Sequence, residues 1–501
     1  MEEIKPKSNR GGRRAGAGRK PKVQNASFET ARTTDNVGRV YMTSLEPKKE
    51  VTPWDRILLM EAGRWSVNNH GMASRIVRGT SRFAIGNGLV PQAQSQNHEW
   101  NRAAEMWFED KFANAPWAFD RAGQFDFYTA QAALVESMLT DGEVFAQLVK
   151  SAAGSPMVRF VTADSVRGDY RLEENVIDGV KLDQSGRPIA YMFSGADGKP
   201  ATVPADDVIH IFRPHRIGAI RGVSWLGTAV NRFQAMREMF ELEIGAVRLN
   251  QKVGFTVESD TGNVGLGGLI ERTLPDGSKV KVEELFPGAG MMKLGKGESL
   301  KAHEFNRPNA NFQAFIEMLS RECAYSVGVS PEIIWSMAGL GGTASRQALI
   351  DADVFFGSIR LLLETRFCSR FWRYAIWQGI KSGELDWPGD DWHRCAWVGP
   401  QKLTVDSGRD GRLRLELVRA GLLSRRQYFN ELGQDSEQQT EDIIRDAARR
   451  KKAIERIAAE EGVALTEQEV FPPAPGSAQV LTKAQQDNEQ DDPPKRGEPE
   501  E

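Results

Sequence analysis

The chain has 501 residues, 40% of them hydrophobic and 27% charged, with a formal net charge of −3. That length exceeds what one hydrophobic core fills, so two or more packed regions are expected. No uncharged apolar run approaches the roughly 20 residues of a membrane span, residues 1–22 lack the apolar stretch of a secretory signal, and three cysteines are too few for a disulfide framework. The expected setting is the cytoplasm or a particle assembled there, with no membrane contact.

The charge is segregated. Residues 1–22 carry Lys5, Lys7, Arg10, Arg13, Arg14, Arg19, Lys20 and Lys22 against Glu2 and Glu3, whereas residues 485–501 are acid-rich and contain Pro493, Pro494 and Pro499. Both tails lack apolar residues to offset the entropy of ordering and are expected to be disordered. The basic tail reads as a polyanion-binding segment; an arginine hook for the minor groove, within 11–21, is the alternative.

Helical spacing of apolar residues covers 54–82, with a break at Asn68, Asn69 and Gly71, and then 97–112 and 125–139, ending at the Asp141-Gly142 turn. The period then changes to two. Strands are predicted at 143–150, 157–161, 179–182, 189–193 and 208–212. A long helix is expected over 224–250, capped by Ser224 and striped with Leu226, Val230, Phe233, Met236, Phe240, Ile244 and Val247. Residues 251–307, dense in glycine and proline, read as a small β-rich unit. A second long helix starts after Asn309, presents Phe312, Phe315, Ile316, Leu319, Cys323 and Val327, and stops at Gly328. Residues 336–345 form a glycine-rich loop. A third helix resumes at Thr343 or Ser345 and runs to about Lys381. Residues 413–461 are helical, with breaks at 421–424 and 433–435.

This order, with the residues at its joints, resembles the portal proteins of lambda-type tailed phages. Val208-Ile209-His210-Ile211-Phe212-Arg213-Pro214-His215-Arg216, followed by Arg221-Gly222-Val223-Ser224-Trp225-Leu226, resembles the strand and turn before that family's first long helix. Gly86-Asn87-Gly88-Leu89-Val90-Pro91 is similar to its early glycine turn. Phe286-Pro287-Gly288 with Leu294 and Gly297-Glu298, then Asn309 and Phe312, is similar to the segment before the second helix. Gly328-Val329-Ser330-Pro331-Glu332 and Thr343-Ala344-Ser345-Arg346 resemble the following loop, and Gly421-Leu422-Leu423-Ser424 with Gly433-Gln434-Asp435 resemble the C-terminal pattern. Ala219-Ile220 departs from it, since relatives often carry a polar residue before the arginine.

The resemblance implies an α+β portal fold that assembles as a ring. Residues 1–39 would be a basic tail, 40–223 the N-terminal part of a mixed wing, 224–250 the first stem helix and 251–308 the clip. Residues 309–329 would be the second stem helix, 330–345 the tunnel loop, 346–408 a long helix with the rest of the wing, 409–470 a helical crown and 471–501 an acidic tail. It also implies the function: a head–tail connector at one capsid vertex of the virion, assembled in the host cytoplasm, through which DNA enters and leaves. Its partners would be other copies of itself in a dodecamer, then double-stranded DNA, the large terminase subunit, head–tail adaptor proteins, and the major capsid and scaffold proteins.

Within that frame Ser336, Met337, Gly339, Leu340, Gly341, Gly342, Thr343 and Ser345 are the expected DNA-channel loop. Glu238, Glu241 and Glu317 are candidate channel-lining acids, which would repel phosphates and keep DNA sliding; Glu243 and Glu322 share the stem helices. Arg13, Arg14, Arg19 and Lys20 are the expected tail contacts to DNA. No catalytic, cofactor or metal residue is expected. Gly290, Gly295 and Lys296 have the spacing of a phosphate-binding loop, but Gly297 stands where a magnesium-binding hydroxyl belongs and the next residues read as extended. That argues against a packaging ATPase, the first rival reading; a DNA-binding protein built on the basic tail is the second. His210 reads as a core or hydrogen-bonded histidine, His215 has no evident co-ligands, and Asp351 and Asp353, two apart on a helix, diverge. Cys323, Cys368 and Cys395 read as structural, the first two as small buried hydrophobes.

Overall fold

The computed structural model describes residues 50–167, 175–194, 200–252, 255–259, 270–273, 279–282, 298–302, 310–335, 341–401, 403–404, 407–463 and 470. They fall into two units that divide after Ser407. The basic tail and the acidic tail lie outside the described residues.

The first unit mixes helix and sheet, in keeping with the α+β expectation. It opens with α1 (Pro53–Asn69), capped by Thr52, whose hydroxyl accepts from the Asp55 amide at 3.1 Å. The Asp55 carboxylate accepts in return from the Thr52 amide at 3.3 Å, so two otherwise unpaired donors are satisfied together. Extended backbone at His70 separates α1 from α2 (Gly71–Ile85), which is the predicted break. Strand β1 (Val90–Ala93), α3 (His98–Phe108) and the short α4 (Pro116–Phe119) lead to α5 (Phe127–Asp141). Asp126 caps α5 by accepting from the Tyr128 and Thr129 amides, and Gly142, at φ 94°, ends it.

Seven strands follow: β2 (Glu143–Lys150), β3 (Pro156–Val161), β4 (Val176–Ile177), β5 (Val180–Leu182), β6 (Pro188–Ser194), β7 (Pro200–Pro204) and β8 (Val208–Phe212). They form two antiparallel sheets, ordered β3-β2-β8 and β4-β5-β6-β7. Helix α6 (Val230–Lys252) comes next. Strands β9 (Phe255–Ser259), β10 (Ile270–Thr273), β11 (Lys279–Val282) and β12 (Glu298–Ala302) pair as β9 with β12 and β10 with β11. Helix α7 (Ala310–Val327) and the short α8 (Pro331–Ile334) precede α9 (Gly342–Leu363). A π-helical turn at Glu364–Cys368 joins α9 to α10 (Ser369–Lys381). Finally β13 (Cys395–Val398) pairs antiparallel with β1, from Val90 opposite Val398 to Ala93 opposite Cys395.

The core is aromatic. Phe108, Phe112, Phe119, Phe127, Phe367, Phe371 and Trp372 are no more than 1% exposed. Many of their rings meet edge to face, as at Phe108–Phe127 (4.9 Å, 87°) and Phe119–Phe371 (5.1 Å, 88°), the arrangement that sets the positive edge of one ring against the negative face of the next. Phe127, Phe367 and Phe371 stack instead. Phe367 and Cys368 enter this core from the π turn.

The second unit is helical: α11 (Ser407–Arg419, beginning at the boundary), α12 (Arg425–Glu431) and α13 (Ser436–Glu461). The breaks stand where predicted. Ser424 caps α12 and Asp435 caps α13.

Three expectations change. Strands β1, β4, β7 and β13 were not anticipated. Helix α6 starts at Val230 rather than at Ser224, because residues 224–229 form successive turns: Gly227 N–H donates to the Ser224 carbonyl and Ala229 N–H to that of Leu226. The Ser224 hydroxyl accepts from the Leu226 amide at 3.3 Å, inside that turn rather than at a helix cap. Helix α9 also begins earlier than expected, so Gly342, Thr343 and Ser345 are helical, while Ser336, Met337, Gly339 and Leu340 lie outside the described residues.

Candidate functional site

A buried charged joint stands just before the long helix α6. Glu143, the first residue of β2 and fully buried, gathers five donors: Arg56 Nη1 (3.2 Å), Arg221 Nη2 (2.5 Å), Arg221 Nε (2.9 Å), His210 Nε2 (2.9 Å) and the Gly222 amide (2.8 Å). Arg56 also grips Asp178 through Nε (2.6 Å) and Nη2 (3.2 Å). Arg221 donates to the carbonyls of Asp178, Val166 (3.2 Å) and Ala163 (3.1 Å). Two guanidiniums thus balance two carboxylates, with three backbone carbonyls recruited by Arg221, which is what makes burial of charge tolerable.

Local sequence brings these groups together. In the β2–β8 ladder Phe145 lies opposite His210, and their rings stack at 4.2 Å. Asp178 occupies left-handed backbone at φ 47° in the turn before Gly179. Gly142 and Gly222 let the chains approach. A Cβ on Gly142 would lie 2.2 Å from the Val223 carbonyl carbon, and one on Gly222 would lie 2.2 Å from the Gly142 oxygen. The Trp225 amide donates to the Leu139 carbonyl at 3.1 Å, tying the segment before α6 to the end of α5.

Burial alone would raise the Glu143 carboxyl. The Arg221 charge, the His210 hydrogen bond and Arg56 outweigh it and hold Glu143 well below the usual carboxylate range. Burial lowers His210 from 6.5, only partly offset by Glu143. His210 is therefore neutral near pH 7, donating from Nε2 to Glu143, with Nδ1 turned to the Tyr191 hydroxyl at 3.4 Å.

From this joint α6 runs beside α7. Val230, Phe233 and Met236 on α6 are buried, as are Ile316, Leu319, Cys323 and Val327 on α7. Arg232 pairs with Glu322 at 2.9 Å and Phe240 meets Phe312 edge to face at 5.9 Å. Further along, the stripe is partly uncovered at Phe240 and Ile244, and Leu242, off the stripe, is 75% exposed. Of the candidate acids, Glu238 accepts from Gln234 (3.3 Å) and Glu317 pairs with Arg321 (2.9 Å); Glu241 is exposed. Gly341, at φ −65° and ψ 155°, forms the N-cap of α9, and its carbonyl accepts from the Ser345 amide.

Other sequence candidates are scattered. His215 approaches Glu50 at 3.5 Å, and Asp353 binds Arg360 at 2.9 Å while Asp351 is exposed. The look-alike phosphate loop at 290–297 and Arg13, Arg14, Arg19 and Lys20 lie outside the described residues. Among the described residues no three His, Cys, Asp or Glu side chains are grouped to hold a metal, and no helix is long and apolar enough to cross a membrane. The cysteines are free; burial pushes the Cys323 thiol up to about 12 and those of Cys368 and Cys395 well above 9.0. Sequence reasoning missed Arg56, Glu143 and Asp178. Asp178-Gly179 and Gly142-Glu143 both mark turns, the only local signal available.

The model of the phage portal proteins of the lambda family matches residues 37–360. The chain belongs to that family, and it is a structural component of the phage connector. It is 19% identical over 360 residues to portal protein B of Escherichia phage lambda, an alignment covering 62% of this chain and 67% of that protein. A chain from the neck of a native gene transfer agent (GTA) particle is 17% identical, with a TM-score of 0.46 over 76% of this chain and 94% of its own. An HK97-family phage portal protein from Corynebacterium diphtheriae is 13% identical, with a TM-score of 0.31 over 58% of this chain and 85% of its own.

Proposed function

We propose that twelve copies of this chain close into a ring at one capsid vertex, through which double-stranded DNA is packaged and later ejected. The observation that carries this reading is the uncovered apolar surface of the long helices. Leu242 on α6 is 75% exposed, and Met318 and Tyr325 on α7 are each 64% exposed. Such surface is costly in water and is covered when identical subunits meet side to side, a contact that closes into a ring when its rotation allows.

In that ring α6 and α7 serve as the stem and β9–β12 as the clip, where the large terminase subunit docks during packaging and adaptor proteins afterwards. The wing meets the major capsid and scaffold proteins, and assembly takes place in the host cytoplasm. Glu238, Glu241 and Glu317 line the channel, and the basic tail adds weak, salt-sensitive DNA contact through Arg13, Arg14, Arg19 and Lys20. The loop from Ser336, Met337, Gly339 and Leu340 to the start of α9 touches DNA, and the motor supplies the energy.

The test is to stiffen the loop with Gly341→Pro and Gly342→Pro. Gly341 already has proline-compatible φ and Gly342 is the first helical residue, where proline is favoured, so the helix tolerates both. Rings counted by mass photometry should be unchanged, while DNA packaging or retention in heads carrying mutant rings should fall. Normal filling together with normal retention overturns the role of the loop; twelve-fold rings absent from the unmodified protein overturn the ring.

A further inference from the structure

A cleft of about 760 Å³ lies between β6, β8 and the π turn of the first unit. Three arginines line it, each from a different element: Arg187 from the turn before β6, Arg366 from the π turn and Arg370 from α10. Asp206 is the one carboxylate among the lining residues. Arg370 is turned to backbone, donating to the carbonyls of Val208 (3.1 Å) and Asp206 (3.4 Å). Arg366 sits 6.0 Å from the centre of the Phe212 ring. Neither Arg187 nor Arg366 has a carboxylate within salt-bridge distance among the described residues. Burial lowers the Arg370 pKa from 12.5, opposed by Tyr191 and Asp206 and reinforced by the Arg366 charge. Asp183 stands near Arg187 at the rim, so within the lining three guanidiniums face the single carboxylate of Asp206.

The lining between the arginines is mixed: Tyr191, Phe212 and Ile220 stand beside Ser185, His210 and Thr365. π turns are frequent at functional sites, and this one contributes both Thr365 and Arg366 to the wall. A single oxyanion is too small to meet guanidiniums from three elements across such a volume. Duplex DNA presents its phosphates on a convex surface and cannot reach the cleft floor. An extended acidic peptide, whose carboxylates are spread along its length, can meet guanidiniums from separate elements.

We propose that this cleft binds an acidic segment of a partner protein, with Arg366 and Arg187 pairing its carboxylates over the Tyr191–Phe212 floor.

The experiment measures fluorescence anisotropy of a labelled hexaglutamate peptide with the full chain, beside a hexaglutamine peptide and a short DNA duplex. Arg366→Gln is compared with Arg82→Gln, which removes the same charge from an exposed position outside the cleft. Loss of one charge-assisted contact should weaken hexaglutamate binding about fivefold in Arg366→Gln and less than about twofold in Arg82→Gln. Arg187→Gln should reproduce the loss and serves if Arg366→Gln fails to fold. Absence of saturable hexaglutamate binding, equal losses in the cleft and control variants, or a loss confined to the duplex each overturns the proposal.

Discussion

The body of the first unit and the helices of the second unit reach order by different routes. In the body, seven aromatic side chains and the charges around Glu143 are shut away from water. In the second unit, Ser436 alone is buried among the described residues, and Leu422, Ile443 and Ile444 are 78%, 53% and 63% exposed. Its long helix depends on local terms: the Asp435 cap, at 2.8 Å from the Glu437 and Gln438 amides, and the Arg445–Glu441 pair at 3.1 Å. Local terms contribute only tenths of a kcal/mol to about 1 kcal/mol each. The body is stabilised from within; the second unit leaves several of its larger apolar side chains in water.

Substitutions can break or sharpen that contrast. Glu143→Ala leaves Arg56 and Arg221 without their shared carboxylate and should cost about 3–5 kcal/mol in denaturant unfolding of the full chain; a loss under about 1 kcal/mol would mean water relieves the joint. Phe371→Ala opens a cavity where several rings meet and should cost about 3–5 kcal/mol, read as a lower melting temperature.

The joint also carries a pH dependence. Glu143 titrates below its ordinary value of 4.5 in the folded state, so its contribution is complete above that value and is lost as pH falls below it. His210 is likewise lowered, from 6.5, so the unfolded chain takes up its proton first and stability declines as pH drops below about 6.5. Thermal melts from pH 7.5 to 5 should therefore fall, and His210→Gln should flatten that span; an unchanged slope would show that the histidine is not buried neutral. At the small end, Ile444→Ala should shift the stability of the unassembled chain by less than about 0.5 kcal/mol. A larger loss would mean that the Ile444 side chain packs within its own chain.

The elements most legible in the sequence are those whose signal is local. Glu143–Lys150 and Val208–Phe212 are short runs rich in β-branched and aromatic residues between turns, and their strands match the predicted limits. The caps at Ser424 and Asp435 stand beside the predicted breaks. Long-range pairing was not legible: four residues at Val90–Ala93 have no pattern of their own and become a strand only because Cys395–Val398 reaches them. The charged joint was hidden for the same reason. Arg56, Glu143, Asp178 and Arg221 are separated by tens of residues, and nothing about each alone marks it for burial. His210 was legible as a core or hydrogen-bonded histidine because it lies among apolar neighbours within a short strand, whereas its partner Glu143 was not. The start of α6 was misplaced because the apolar stripe begins at Leu226, before the backbone is free to coil.

The ladder between β1 and β13 bears on synthesis. Its two strands leave the ribosome about 300 residues apart, and pairing across such a separation carries a large loop-closure cost and slows folding. Everything from α3 to α10 is made while Val90–Ala93 waits with an unpaired edge. A nascent chain stalled before Cys395 should expose that edge to chaperones, and release past Val398 should be the event that protects its amides from exchange.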